Sequence, residues 1–139
     1  MHYKFLFLIL LFYACKNEPT VDYLAGFNQC HDEQTWDTTA IRNQLVDQWR
    51  LEYTRCSAGE SPATSDFTIE FKADNTLEVT ENGVVTQTAT WSLKQGGTKF
   101  SLVTTPSISE VQGSIHFCSE RVEFNYSNFD LCDHYFRRF

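Results

Sequence analysis

From Gln48 onward, apolar and polar residues alternate with a period of two, the signature of strands that bury one face. Trp49, Leu51 and Tyr53 share one face of the first run, with Arg50, Glu52 and Thr54 opposite. The pattern returns at Phe67, Ile69 and Phe71, at Leu77 and Val79, and at Val85, Ala89, Trp91 and Leu93. It continues through Phe100 and Leu102, then Val111, Ile115 and Phe117, then Val122, Phe124 and Tyr126. A last run covers about 131–139, where adjacent Tyr135 and Phe136 leave the inward residue open. Turn signals separate the runs at Asp74–Asn75, Asn82–Gly83, Gly96–Gly97, Ser119–Glu120 and Ser127–Asn128. The pattern predicts eight short strands joined mostly by hairpins, with one longer polar loop at 57–65, SAGESPATS. Such strands can close into an up-and-down barrel or pack as a sandwich. Successive tight hairpins favour the all-β, eight-stranded antiparallel up-and-down barrel, since closure leaves no edge exposed.

The residues before Gln48 read differently. Within 25–47, Asp37 and Thr38 can cap a short helix that carries Ile41 and Leu45 on one face. At the N-terminus, Lys4 precedes the apolar run FLFLILLFY, Phe5 to Tyr13, and then Ala14 and Cys15. Nine apolar residues are too few to span a bilayer, which takes roughly 20, but they suit the core of a signal peptide. The small residue followed directly by Cys resembles the lipobox of bacterial lipoproteins, with Phe12 and Tyr13 where a Leu and a small residue are usual. That resemblance implies cleavage after residue 14, acylation of Cys15, and a polar tether over 15–24. Its alternative is a plain secretory signal with Cys15 removed. Several acyl chains would hold the protein firmly on a membrane. Lys16, in place of the Asp that commonly retains such proteins at the inner membrane, points to the outer membrane, with the face left open.

Removing residues 1–14 leaves 125 residues, one domain with a modest core, and takes the formal charge from −7 to −8. An acidic chain without a basic cluster repels phosphate backbones, so nucleic acid is not an expected partner. Four cysteines remain besides Cys15: Cys30, Cys56, Cys118 and Cys132. In an oxidising compartment an even number reads as two disulfides. A zinc site is the competing reading, but Cys118 and Cys132, the nearest pair, are fourteen residues apart rather than two to four.

Residues 48–139 resemble the lipocalin-like domains carried by many bacterial lipoproteins. The likeness rests on Asp-Gln-Trp at 47–49, Ile-Glu-Phe-Lys-Ala-Asp-Asn-Thr-Leu at 69–77, Thr-Trp-Ser-Leu at 90–93, and a terminal strand ending Tyr-Phe-Arg-Arg. In lipocalins a Gly-x-Trp opens the first strand, and a late Arg packs across that Trp to plug the closed end; here Asp47 stands in place of the Gly. The resemblance implies a plug formed by Trp49 and Arg137, with Arg138 able to serve instead. In an eight-stranded meander the first strand ends near Cys56, and the eighth, which closes against it, begins near Cys132. The sixth strand ends at the opposite pole near Cys118, beside the segment that carries Cys30. The expected bridges are therefore Cys30–Cys118 and Cys56–Cys132.

No catalytic constellation emerges. There is no G-x-S-x-G, no phosphate-binding Gly loop and no H-E-x-x-H, and 74–78 lacks the Gly and Glu of a calcium loop. His31, within Cys30-His31-Asp32-Glu33, reads as part of a solvated loop, and His116 and His134 read as surface histidines. Asp130, Asp133 and His134 cluster without a nucleophile. No cofactor or metal is expected. The inward face is rich in aromatic rings, which can either fill a small barrel or line a cavity within it. The leading expectation is a monomeric, non-enzymatic, lipid-anchored protein. It would bind a small apolar ligand lined by Tyr53, Phe67, Phe71, Trp91 and Phe124, entering beside 57–65. The alternative is a solid-core envelope module that meets another protein through its exterior.

Overall fold

The computed structural model describes residues 26–126 and 132–139. Residues 1–14, Cys15, the tether, the Ser127–Asn128 turn, Asp130 and Leu131 lie outside the described residues. Two short helices, α1 (Phe27–Asp32) and α2 (Thr38–Leu45), precede the sheet. The strands are β1 (Gln48–Cys56), β2 (Gly59–Pro62), β3 (Phe67–Phe71), β4 (Thr76–Glu81), β5 (Val84–Gly96), β6 (Lys99–Thr105), β7 (Ser114–Cys118), β8 (Arg121–Asn125) and β9 (Asp133–Arg138). A 3₁₀ turn, Ser109–Val111, lies between β6 and β7.

Every neighbouring pair is antiparallel, and β9 returns to β1, with Trp49 opposite Arg138 and Arg55 opposite Asp133. The chain is thus a closed eight-stranded antiparallel barrel, made by β1 and β3 to β9. The ninth strand, β2, forms a hairpin with the second half of β1, pairing Tyr53–Cys56 with Gly59–Pro62. It occupies part of the expected 57–65 loop. All four of its residues are exposed, so no apolar alternation announces it.

Parity follows the sequence along most of the barrel. Phe67, Ile69 and Phe71, Leu77 and Val79, Ala89 and Trp91, Phe100 and Leu102, and Ile115 and Phe117 all point inward. Asn82 and Gly83 both take positive φ (50° and 79°), as the hairpin between β4 and β5 demands. Two bulges break the alternation. One, opposite Val79 and Thr80, leaves Val85 54% exposed at the hairpin end instead of inside. The other, between Leu51 and Tyr53, turns Tyr53 outward. Val111 lies on the 3₁₀ turn rather than on a strand, yet its side chain still reaches the core. In β9, Phe136 points in and Tyr135 points out, resolving the ambiguous pair.

Helix α2 covers the end of the barrel where β1 begins. Asp37 caps it by accepting from the Ala40 N–H (2.7 Å), and Ile41 and Leu45 are fully buried against the core. Each such side chain contributes about 1.5–3 kcal/mol on burial. Trp49 donates its indole N–H to the Leu45 carbonyl (2.8 Å). Across its ring lies Arg138, not Arg137: the Arg138 guanidinium is 4.9 Å from the ring centroid and donates to the Gln44 carbonyl (2.8 Å). Arg137 has the opposite parity, so it points to solvent and meets Glu52 at 3.5 Å. Asp47 places its carboxylate 3.1 Å from the Arg138 Nε.

Both expected disulfides are present, Cys30–Cys118 (Cα–Cα 5.4 Å) and Cys56–Cys132 (4.2 Å). The first fastens α1 to the end of β7, and the second joins the ends of β1 and β9 at the barrel's closure. Arg138→Ala is expected to lower unfolding free energy by about 1–3 kcal/mol through loss of the ring contact and a half-buried hydrogen bond. Arg137→Ala should change it by less than ~0.5 kcal/mol. Urea denaturation of the two variants checks the assignment, and equal effects would refute it.

Candidate functional site

Four of the five residues expected to line a ligand cavity lie inside the barrel, but against one another. Phe71 meets Trp91 edge-on (5.6 Å between centroids) and lies over Phe124 (6.2 Å). Phe124 contacts Phe136 (5.7 Å), which in turn meets Phe67 (6.2 Å). The β6–β7 connection folds Ile108 and Val111 into the same cluster at the pole opposite α2. Tyr53, turned out by its bulge, instead donates its hydroxyl to Glu60 on β2 (2.8 Å). The aromatic inward face is therefore core, and the chemistry of the molecule sits on its exterior.

That exterior site is built on the outer face of β7, β8 and β9, which α1 covers. Phe27 of α1 packs edge-on against Tyr135 (5.7 Å), excluding water from the polar groups beside it. Glu123 is 2% exposed and Asp133 fully buried. Each is amply partnered, as buried carboxylates must be. Glu123 accepts from the Tyr135 hydroxyl (2.6 Å) and from Asn125 (3.2 Å), and its other oxygen lies 2.8 Å from the His116 Nδ1. Asp133 accepts from Arg55 (2.8 Å) and from the Tyr126 N–H (2.9 Å). Burial alone would raise the Glu123 carboxyl; the hydrogen bonds from His116, Tyr135 and Asn125 outweigh it and hold the group below the usual carboxylate range. Burial and the adjacent Glu123 carboxylate push the Tyr135 hydroxyl far up, so it stays a donor.

His31 completes this layer from α1. It is 8% exposed rather than solvated, and its Nδ1 accepts the backbone N–H of Phe117 (3.0 Å). Its ring stacks on Trp36 (5.1 Å, 8°) and meets the His116 ring edge-on at 5.0 Å. His116 does face outward, but α1 leaves only 16% of its side chain exposed. His134 points inward on β9 and pairs with the Thr54 hydroxyl (3.3 Å). Reading His31 as solvated and His116 as a surface group overlooked the cover that α1 provides, whereas His134 turns inward by its parity on β9. The signal for that cover was the Cys30–Cys118 bridge, which brings 27–32 over 116–118.

The reason His31 bonds a strand amide lies in the sheet. Strands β6 and β7 share one pair, Ser101 with Ser114, and then separate. Beyond that pair the Phe117 N–H finds the His31 ring in place of a strand carbonyl. Where the strands part, a slot of about 410 Å³ opens in the barrel wall. Phe100, Ile115, Trp36, the β5–β6 turn, His31 and His116 line it. Because the Nδ1 of His31 accepts from an amide, its Nε2 carries the proton and can only donate. The Nδ1 of His116 holds a proton toward the Glu123 carboxylate, 2.8 Å away. The Glu123–His116 dyad has the polarity of a general base. Among the described residues, no serine or cysteine is bonded to it, and no three potential metal ligands converge. Cys30 is consumed by its disulfide and the free ring nitrogen of His31 by Phe117.

Compared with protein-family models, curated proteins and solved structures, the chain matches none.

Burial, reinforced by His116, lowers the His31 value below 6.5, and burial does the same to His134. The folded chain therefore binds these protons less readily than the unfolded chain. Their contribution to stability is complete above pH 6.5 and is lost as pH falls through that value toward the lower folded ones. The loss is at most about 1.4 kcal/mol per pH unit for each group. Glu123 acts in a separate window, its contribution present above 4.5 and lost below. His31→Gln keeps an acceptor for Phe117 and removes one titration. As pH falls below 6.5 its stability should fall less steeply than that of the parent, as measured by urea denaturation at each pH; an unchanged slope would contradict the assignment.

Proposed function

We propose that this chain is a lipid-anchored, non-enzymatic, lipocalin-like protein of the bacterial outer membrane that works through the outside of its barrel. The observation that carries the reading is the interlocked core of Phe67, Phe71, Trp91, Phe124 and Phe136, which favours a solid module over a container for an apolar ligand. The anchor is supported by cysteine pairing. Cys30, Cys56, Cys118 and Cys132 bond to each other, which leaves Cys15 as the odd thiol, directly behind a signal-like apolar run. Paired cysteines also suit an exported chain.

Expressed in a bacterium with a lipoprotein-processing pathway, the parent should partition into the detergent phase and yield an N-terminal peptide bearing acyl chains on Cys15. Cys15→Ser should move to the aqueous phase; detergent partitioning by that variant would refute the anchor. A fluorescent fatty-acid probe should show no saturable binding to the aqueous Cys15→Ser protein. Saturable binding abolished by Phe124→Trp would restore the interior ligand site.

A further inference from the structure

We propose that the slot between β6 and β7 is a binding site for an uncharged carbohydrate, a mono- or disaccharide unit. The inference rests on the reading that the barrel works through its exterior, but not on the lipid anchor.

Sugars present two surfaces: patches of C–H groups that pack on apolar side chains, and vicinal hydroxyls that each donate and accept. The slot offers a counterpart to both. Its lining includes the half-buried Trp36 ring, which offers an apolar face, and the core residues Phe100 and Ile115, buried on either side of the gap where the two strands part after Ser101 and Ser114. Beside it the paired imidazoles, their centroids 5.0 Å apart, set the His31 Nε2–H donor next to the His116 ring. Both rings are held before any ligand arrives, His31 by the Phe117 amide and the Trp36 stack, His116 by buried Glu123. A preordered pair lowers the ordering cost of binding. Around it stand the amides of Gln34 and Gln95 and the hydroxyls of Thr35 and Thr98, all exposed and all able to bond a hydroxyl in either sense. The charged lining is one cation, Lys99, and one carboxylate, Asp32, which favours a neutral ligand over an anion. A volume of about 410 Å³ suits one or two sugar rings.

The test uses the purified protein in a zwitterionic detergent that has no sugar headgroup. Galactose, N-acetylglucosamine, cellobiose and, as the anionic control, benzoate are titrated while the His ring C–H signals and calorimetric heat are followed. At least one sugar should bind saturably and shift the His31 and His116 signals, leaving His134 unmoved. Gln95→Ala and Thr98→Ala, both exposed, should each weaken that sugar about fivefold or more without altering the melting temperature, and Lys99→Ala should change it less than about twofold. If no sugar moves the two histidines, or if benzoate binds in preference and Lys99→Ala abolishes it, the proposal is wrong. Either failure leaves the acylation result at Cys15 standing.

Discussion

Closure of the sheet depends on β9 finding β1, a pairing that joins residues almost ninety positions apart and on which most other features hang. It abolishes the edges that a meander would otherwise expose, and it sets the width of the interior. At one pole it lays Arg138 across Trp49, where the guanidinium also reaches the last turn of α2. Toward the other it sets Arg55 opposite Asp133, so that a buried carboxylate is born beside its cation. Cys56–Cys132 then fastens the same seam covalently. The bulge between Leu51 and Tyr53 belongs to this closure as well: an extra residue in β1 adds local twist and sends Tyr53 outside.

The inward face of the barrel carries a continuous set of aromatic rings. Edge-on and stacked contacts from Trp91 through Phe71 and Phe124 to Phe136 and Phe67 run through the middle of the core. Helix α2 and the turn carrying Ile108 and Val111 add apolar side chains from the two poles. Polar chemistry is displaced to the outside of β7, β8 and β9, where α1 makes a second, thin interior. There Glu123 and Asp133 are charged groups in low dielectric, tolerable because Arg55, His116, Tyr135, Asn125 and a backbone amide supply donors. The six-residue α1 could not hold that position through its own packing alone, and Cys30–Cys118 keeps it there.

The weak seam is β6 against β7. Gly113 lets the chain pass so close to β8 that a Cβ there would lie 2.1 Å from the Asn125 carbonyl oxygen, tying the start of β7 to β8 rather than to β6. What the sheet lacks at Phe117 is supplied by an imidazole from α1. The slot lies where that substitution occurs; the bond that completes the sheet also orders His31, while Glu123 orders His116.

The barrel was legible in the sequence because a period of two, interrupted by turn residues, has few packing solutions, and consecutive hairpins leave fewer. The disulfide pairing followed from the alternation of strand direction. Helix α2 was legible from Asp37, Ile41 and Leu45, since a cap and a four-residue spacing are local signals. What alternation could not show were its own interruptions: the bulges that turned out Tyr53 and Val85, the exposed strand β2, and which of two adjacent arginines covers Trp49. Each depends on how strands curve and meet, and a bulge reverses every side chain beyond it. Parity placed His116 on the outer face, but burial there is decided by a helix about ninety residues away, not by the strand. The local sequence thus determined which residues could face a core. Only the closed tertiary structure decided that these rings meet one another, and that polar groups left outside gather beneath α1, because packing across an interior and covering a face are properties of the assembled sheet.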